Sequence, residues 1–308
     1  MRKSLSIFVA LFALGGMALV HPAFAHNFVQ NSDADLIAKI QEFKVEAKLA
    51  ADNAANSTLS QWHVSKSQGY FGGNEIGVLS QKDSNLANQI SSSIDDLYSY
   101  LGQPNADPAT ADQKVIAIGN LLDSAESEQV SSSSQTNATV QALATVNVLN
   151  EVLKDYGDAI GSKVDLTNMN NMNMGTGSMS GMSSSGSSMS GMSAMAATPI
   201  VDMAAYQSAQ ALTSTAQTMF SNVQSMAPSN TAPYLTKVGS ALTDLKQKID
   251  SKSSGNDVMM VVHMNIHPNL ISAFNIAAVP EFPVPALLVA VSFVGFLTIS
   301  RFLKIKVI

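Results

Sequence analysis

The sequence predicts an all-α protein: an antiparallel bundle of about four helices, two or three further helices after a Met-rich segment, and one C-terminal transmembrane helix. Apolar residues recur at steps of three and four in six segments, which is the spacing of one buried helix face. Short connections separate these segments, as in antiparallel bundles. The 308 residues include no Cys, which excludes disulfide scaffolds, Cys-ligated metal centres and thiol catalysis.

Four helices are predicted before the Met-rich segment. The first begins at Ser32 or Asp33, with acidic residues in its first turn. The third begins at Asp107-Pro108, because Asp caps a helix N-terminus and Pro fits the first turn. The stretch from Trp62 to Phe71 is predicted to be a connection. The apolar faces of the four helices run over residues 36–54, 76–101, 115–125 and 142–160.

Two more helices are predicted after that segment. Asp202 caps the fifth, and Pro233 lies at the start of the sixth. The last two helices cannot bury their faces alone, so we expect them to dock on the bundle or to extend it. The apolar run at residues 258–262 fits a buried helix or a strand, and the bundle context favours a helix.

Composition divides the chain into five parts. Residues 1–25 form a predicted signal peptide, because Arg2 and Lys3 precede an apolar stretch and Ala23-Phe24-Ala25 fits a cleavage site. The alternative is an uncleaved anchor helix. The other parts are a helical bundle at 26–167, a flexible Met-, Ser-, Gly- and Asn-rich linker at 168–199, a helical segment at 200–279, and a membrane element at 280–308.

The C-terminal element is predicted to cross a membrane. Residues 284–300 carry no charge, and at about 1.5 Å per residue they reach about 26 Å, which is enough for one spanning helix. Arg301, Lys304 and Lys306 follow this run. Because basic residues stay on the cytoplasmic side, residues 26–280 are expected to face the outside.

Pro280-Glu281-Phe282, the apolar run and the basic end resemble the PEF-type C-terminal sorting signal of archaeal surface proteins. The resemblance covers only about the last 29 residues. It implies that an archaeosortase-type sorting enzyme removes the tail and can attach a lipid. The alternative is a helix that stays as a plain tail anchor. Either way, the protein is expected at the cell surface, held at the cytoplasmic membrane.

The charge of the external part excludes some partners. Residues 26–280 contain 22 Asp and Glu, 12 Lys and no Arg. Arg is the usual bidentate reader of phosphate and guanine, so this acidic surface argues against nucleic acid and favours cations. Asn56-Ser57-Thr58 and Asn137-Ala138-Thr139 are glycosylation acceptor tripeptides, which an external location makes usable.

The linker is the first candidate metal site. Eight of the 16 methionines lie there: Met169, Met172, Met174, Met179, Met182, Met189, Met192 and Met195. Thioether sulfur is a soft ligand that suits Cu(I), and the Gly and Ser residues between the methionines allow a chain to wrap an ion. The alternative is an ordinary flexible linker whose composition is rich in Met.

The second candidate is the pair His263 and His267. Spacing of four residues places both imidazoles on one helix face, and Pro268 predicts a kink or boundary beside His267. Such a pair can bind copper, zinc or nickel. The alternative is two histidines that form hydrogen bonds in or near the core.

The third candidate is His26. After cleavage at Ala25, its amino group and imidazole could chelate one metal. This arrangement is similar to the amino-terminal histidine of copper-brace proteins, which implies a second histidine from elsewhere, such as His63, His263 or His267. The alternative is an incidental histidine at the N-terminus.

These signals share one metal and predict a surface-anchored helical protein that binds or buffers copper. The alternatives are a structural or interaction protein without a ligand, and a copper-brace enzyme. The sequence contains no Gly-x-Ser-x-Gly, no phosphate-binding loop and no Glu-x-x-His, so we expect a binding protein rather than an enzyme. The carboxylates of residues 26–280 are expected on solvated helix faces.

Overall fold

The computed structural model describes residues 26–28, 30–171, 197–276 and 278–280. The described part is helical apart from two paired three-residue strands, β1 (His26–Phe28) and β2 (Ala278–Pro280). The predicted all-α class is therefore confirmed. Residues 28–277 belong to one compact unit, and residues 26–27 and 278–280 belong to a second.

The described residues contain eleven α-helices. They are α1 (Ser32–Asp52), α2 (Ser57–Tyr70), α3 (Gly73–Lys82), α4 (Ser84–Leu101), α5 (Pro108–Gln129), α6 (Ser132–Gln135), α7 (Ala138–Ala159), α8 (Met203–Met226), α9 (Ala232–Asp250), α10 (Gly255–Met260) and α11 (His267–Phe274). A π-helical turn, Val261–Ile266, joins α10 to α11. Short 3₁₀ turns lie at Met169–Asn171 and Ser229–Thr231.

Local capping explains where the long helices begin. The Asn31 side chain accepts from the Ala34 N–H at 2.9 Å and caps α1. Asp107 and Asp202 cap α5 and α8 in the same way. The starts predicted at Asp107-Pro108 and Asp202 are thus confirmed, because a cap is set by residues adjacent in sequence.

Two predicted elements differ from the structure. The stretch around Trp62 is a helix, α2, rather than a connection. Its buried face is mostly polar, so it lacks the apolar period on which the prediction relied. The single helix expected over residues 76–101 is two helices, because Asp83 ends α3 and accepts from the Leu86 N–H at 2.9 Å as the cap of α4.

The apolar core of the unit at 28–277 consists of two clusters of buried side chains. One joins the start of α1 to α7, α8, α9 and the segment from α10 to α11, and its largest buried members include Tyr156, Leu149 and Leu153. The other joins the rest of α1 to α3, α4 and α5 around Phe43 and Ile90. Helix α1 therefore contributes to both clusters. Among the described helices, α7 and α8 make the most extensive contact with each other.

The predicted membrane element at 280–308 lies outside the described residues except for Pro280, and the predicted signal peptide at 1–25 lies wholly outside them. Within the described ranges, no helix combines the length and the apolar character that crossing a membrane requires.

Candidate functional site

The histidine pair lies in a helix with a widened turn. Residues 255–274 are helical, and the predicted helix is confirmed there. Pro268 has no N–H to donate, and its ring would clash with the carbonyl four residues before it in a regular α-helix. Opening the turn at Val261–Ile266 relieves that clash, and such π turns occur frequently at functional sites.

His263 is held by one hydrogen bond and keeps one nitrogen without a partner. Its side chain is buried, and Nε2–H donates to the carbonyl oxygen of Leu166 at 3.0 Å. Because a carbonyl only accepts, the proton is on Nε2 and the lone pair is on Nδ1. Nδ1 is buried and has no hydrogen-bond partner in the described part of the chain. Burial lowers the pKa of His263, against the opposing effect of the Leu166 bond, so the neutral imidazole is favoured.

The ring of His267 lies between two other rings and contacts both edge to face. Its side chain is buried, and its ring centroid lies 5.2 Å from that of His263 in an edge-to-face arrangement. On its other side, the ring of Phe28 lies 5.0 Å away, also edge to face. The two imidazoles therefore meet inside the protein, as the four-residue spacing predicted.

The described residues at the two ends of the Met-rich segment contact the folded part of the chain, and those at the first end lie near His263. Leu166, which binds His263, lies three residues before Met169, and Met169 is half-buried against the same core. At the other end, the Thr198 N–H donates to the Lys252 carbonyl at 2.8 Å, just before α10. The structure therefore places Leu166, two residues before the linker, in contact with His263.

The other predicted metal ligands are not brought together in the described residues. Met172, Met174, Met179, Met182, Met189, Met192 and Met195 lie outside them, as do Glu281 and Phe282 of the sorting motif. The backbones of His26 and Pro280 lie in β1 and β2, and their side chains are outside the description. Among the described residues, no set of three or more His, Asp and Glu side chains is arranged to hold a metal ion.

Both predicted glycosylation acceptors are exposed helix caps. Asn56 Oδ1 accepts from the Leu59 N–H at 3.3 Å at the start of α2. Asn137 Oδ1 accepts from the Thr139 N–H at 2.9 Å at the start of α7. In each case the side-chain oxygen caps the helix and the side chain is exposed.

Sequence reasoning missed a buried polar cluster between α1, α2, α7 and α8. Glu42, Glu46 and Asp155 are buried, so the expectation that the carboxylates lie on solvated faces is wrong for these three. The cluster comprises Glu42 and Glu46 of α1, His63, Lys66 and Tyr70 of α2, Glu151 and Asp155 of α7, and Gln207 of α8. One signal was available: Asp155 lies on α7 between Val152, Leu153 and Tyr156, all of which are buried.

Each ring nitrogen of His63 in this cluster faces an oxygen. Nδ1 lies 2.6 Å from Glu46 Oε2, and Nε2 lies 3.1 Å from Gln207 Oε1. Gln207 Oε1 also accepts from Asn53 Nδ2 at 3.2 Å, which identifies it as the amide oxygen. Both His63 nitrogens are therefore engaged by the protein, which argues against a role as the second histidine of a copper brace.

Lys66 is the cation at the centre of the cluster. Its ammonium group forms an ion pair with Asp155 and lies 3.3 Å from Glu151 Oε1 and 3.8 Å from Glu46 Oε1. The Tyr70 hydroxyl donates to Glu151 at 2.5 Å. These attractions raise the pKa of Lys66 although burial alone would lower it, and Lys66 and the Tyr70 hydroxyl help to lower the pKa of Glu151.

Comparison of the chain with protein-family models, with curated proteins and with solved structures finds no match in any of the three. Function is therefore inferred from the geometry of the site alone.

Proposed function

We propose that this chain is an exported, surface-anchored helical protein that binds copper as Cu(I) through His263 and the methionines of residues 169–195. Support comes from the hydrogen bond between His263 and Leu166. That bond holds Leu166, two residues before the Met-rich segment, beside His263 and directs the proton of His263 away from Nδ1. A hydrogen bond from the second ring nitrogen to a carbonyl commonly orients a metal-binding histidine.

The ligand chemistry favours Cu(I) over harder cations. Thioethers and neutral imidazole are soft or intermediate ligands, whereas carboxylate and carbonyl oxygen suit Mg²⁺ and Ca²⁺. Between Asn168 and Pro199 the chain carries no Asp or Glu. The ring centroids of His263 and His267 are 5.2 Å apart, close enough for both rings to reach one ion through metal–nitrogen bonds of about 2 Å.

The proposed location follows from the two ends of the sequence. A signal peptide would export the chain, and the segment at 280–308 would hold it at the membrane as a helix or after exchange for a lipid. Deleting residues 280–308 should release the protein into the medium, as measured by immunoblotting of membrane and medium fractions. Persistent membrane association of the truncated chain would show that another segment anchors it.

X-ray absorption spectroscopy at the copper edge tests the ligand set. The purified full chain, loaded with Cu(I) under reducing conditions, should show both sulfur and imidazole nitrogen in the first shell. His263→Gln should remove one imidazole contribution and keep the sulfur, because Gln can still donate to Leu166 but has no nitrogen at the Nδ1 position.

His63→Gln is the matched control, because both His63 nitrogens already bind Glu46 and Gln207. Its copper spectrum should equal that of the unchanged chain. A first shell of oxygen or nitrogen without sulfur, or one that His263→Gln leaves unchanged, would contradict the proposed site.

A further inference from the structure

Helix α2 is attached to the rest of the protein by many polar contacts as well as by a few apolar side chains: Val64 belongs to one core cluster, and Trp62 and Tyr70 pack at the edges of the core. Its buried residues are Ser60, His63, Val64 and Ser67, so Val64 is the only apolar side chain among them. Ser60 Oγ donates to the Ala50 carbonyl at 2.9 Å, and Ser67 Oγ lies 2.7 Å from the Tyr98 hydroxyl. An attachment of this kind depends on the charges beneath it more than on apolar burial.

The strongest of these contacts involve the interior carboxylates. His63 meets Glu46, and Lys66 meets Asp155 and Glu151. The Lys66 ammonium also lies 5.2 Å from the ring centroid of Trp62, in cation–π range. Helix α2 therefore covers carboxylates of α1 and α7 and supplies the cations that neutralise them.

We propose that α2 is a lid over the carboxylates of α1 and α7, closed while the cluster is electrically balanced and opened when rising pH adds negative charge to it. This regulatory device is independent of the proposed copper site. Opening would expose Glu42, Glu46 and Asp155 to solvent while the remaining helices stay folded.

The charged and titratable groups on every packed element define that balance. They are Glu42 and Glu46 on α1, His63, Lys66 and Tyr70 on α2, Tyr98 on α4, and Glu151, Lys154 and Asp155 on α7, and the exposed Asp35 of α1 acts on Glu42 from outside the cluster. From the described residues, α8 contributes the uncharged amide of Gln207. The group therefore contains four carboxyls and, buried among them, two potential cations, His63 and Lys66.

Two of those carboxyls hold their protons in the closed state. Burial, reinforced by Glu151 and Asp155, raises the pKa of Glu42 from 4.5 to about 8. Burial also raises the pKa of Asp155 to about 8, against the opposing attraction of Lys66. With Glu42 and Asp155 neutral, the Glu151 carboxylate faces the Lys66 ammonium group at 3.3 Å, and the cluster carries less negative charge than it would with all its carboxyls ionised.

The sign of the pH dependence follows from these raised values. A carboxyl group with a raised pKa in the closed state binds its proton more tightly there than in the open state. Its contribution to the stability of the closed state is complete below its ordinary pKa, which is near 4.5 for Glu. The stabilisation is lost as the pH rises through the closed-state pKa of about 8. Asp155 Oδ1 pairs with Lys66, but Asp155 Oδ2 is buried and has no hydrogen-bond partner among the described residues, so the Lys66 contact alone would offset a charge added at Asp155.

Trp62 provides a direct probe of the lid, because it lies on α2 and is the only tryptophan in the chain. Between pH 6 and pH 9.5 its fluorescence emission should shift to longer wavelength, while far-ultraviolet circular dichroism stays nearly constant. Hydrogen exchange of the full chain, corrected for the intrinsic rate at each pH, should increase about tenfold or more in residues 57–70. Exchange in α5 should not change.

Glu42→Gln tests the cause, since Gln resembles the protonated carboxyl and cannot ionise. It should remove most of the Trp62 shift and most of the added exchange. The control is Glu128→Gln, the same change at an exposed position of α5, which should behave as the unchanged chain. The lid is overturned if residues 57–70 exchange no faster at pH 9.5, if all helices open together, or if Glu42→Gln leaves the pH response intact.

Discussion

Replacing Lys66 by Met should lower the free energy of unfolding by about 3–5 kcal/mol. Met keeps most of the length and apolar volume of the Lys stem but removes the ammonium group. The Glu151 carboxylate would then lose its cation in the interior, where an uncompensated charge is costly, and the protonated Asp155 would lose its contact with the ammonium group. Urea denaturation of both chains at pH 7, followed by circular dichroism, measures the difference.

Lys154→Met is the matched control for this substitution. The Lys154 side chain is 59% exposed, and it pairs with Glu151 at 3.1 Å. Solvent screens such a pair, so the expected loss is about 0–1 kcal/mol. Equal effects of the two substitutions would show that Lys66 does not compensate the buried carboxylates and would remove the basis for the lid.

The features that the sequence predicted correctly depend on neighbours in the chain. Asp107 and Asp202 cap the helices they were expected to cap, because the capping oxygen and the N–H groups it accepts from are two or three residues apart. His263 and His267 are four residues apart, so their rings come into contact when the segment is helical. Regular apolar spacing likewise identified the long helices, since their buried faces are largely Ala, Leu, Ile and Val.

The features that the sequence missed depend on distant partners. Helix α2 was not foreseen because its buried residues are mostly polar. The Lys66 ammonium group pairs with Asp155, which lies 89 residues away in the chain. The contact between His263 and Leu166 spans 97 residues. No local pattern encodes such pairs, since each residue alone fits a solvated surface or an ordinary core.

The second large effect concerns the linker methionines. Changing Met169, Met172, Met174, Met179, Met182, Met189, Met192 and Met195 to Leu keeps side chains of similar volume and removes every sulfur from the segment. Cu(I) would lose its soft ligands and retain only imidazole nitrogen, so affinity should fall at least tenfold or the tight site should disappear. The fold should persist, because Leu keeps a similar side-chain volume at each position and Met169 is only half-buried against the core.

Met203→Leu combined with Met226→Leu is the control, because both residues lie on α8 outside the linker. That variant should bind Cu(I) as the unchanged chain does. Zn(II) binding should be weaker than Cu(I) binding in the unchanged chain and should change little in the linker variant, since thioethers serve Zn(II) poorly.

Competition titration with a chromogenic Cu(I) chelator, under reducing conditions and on the full chain, is the most direct test of the copper proposal. We expect at least one Cu(I) to be retained by the unchanged chain and by the α8 control, and to be lost to the chelator by the variant with eight Leu substitutions. An equal Cu(I) stoichiometry and affinity in all three chains would mean that the methionines form a linker only, and that the protein does not bind copper through them.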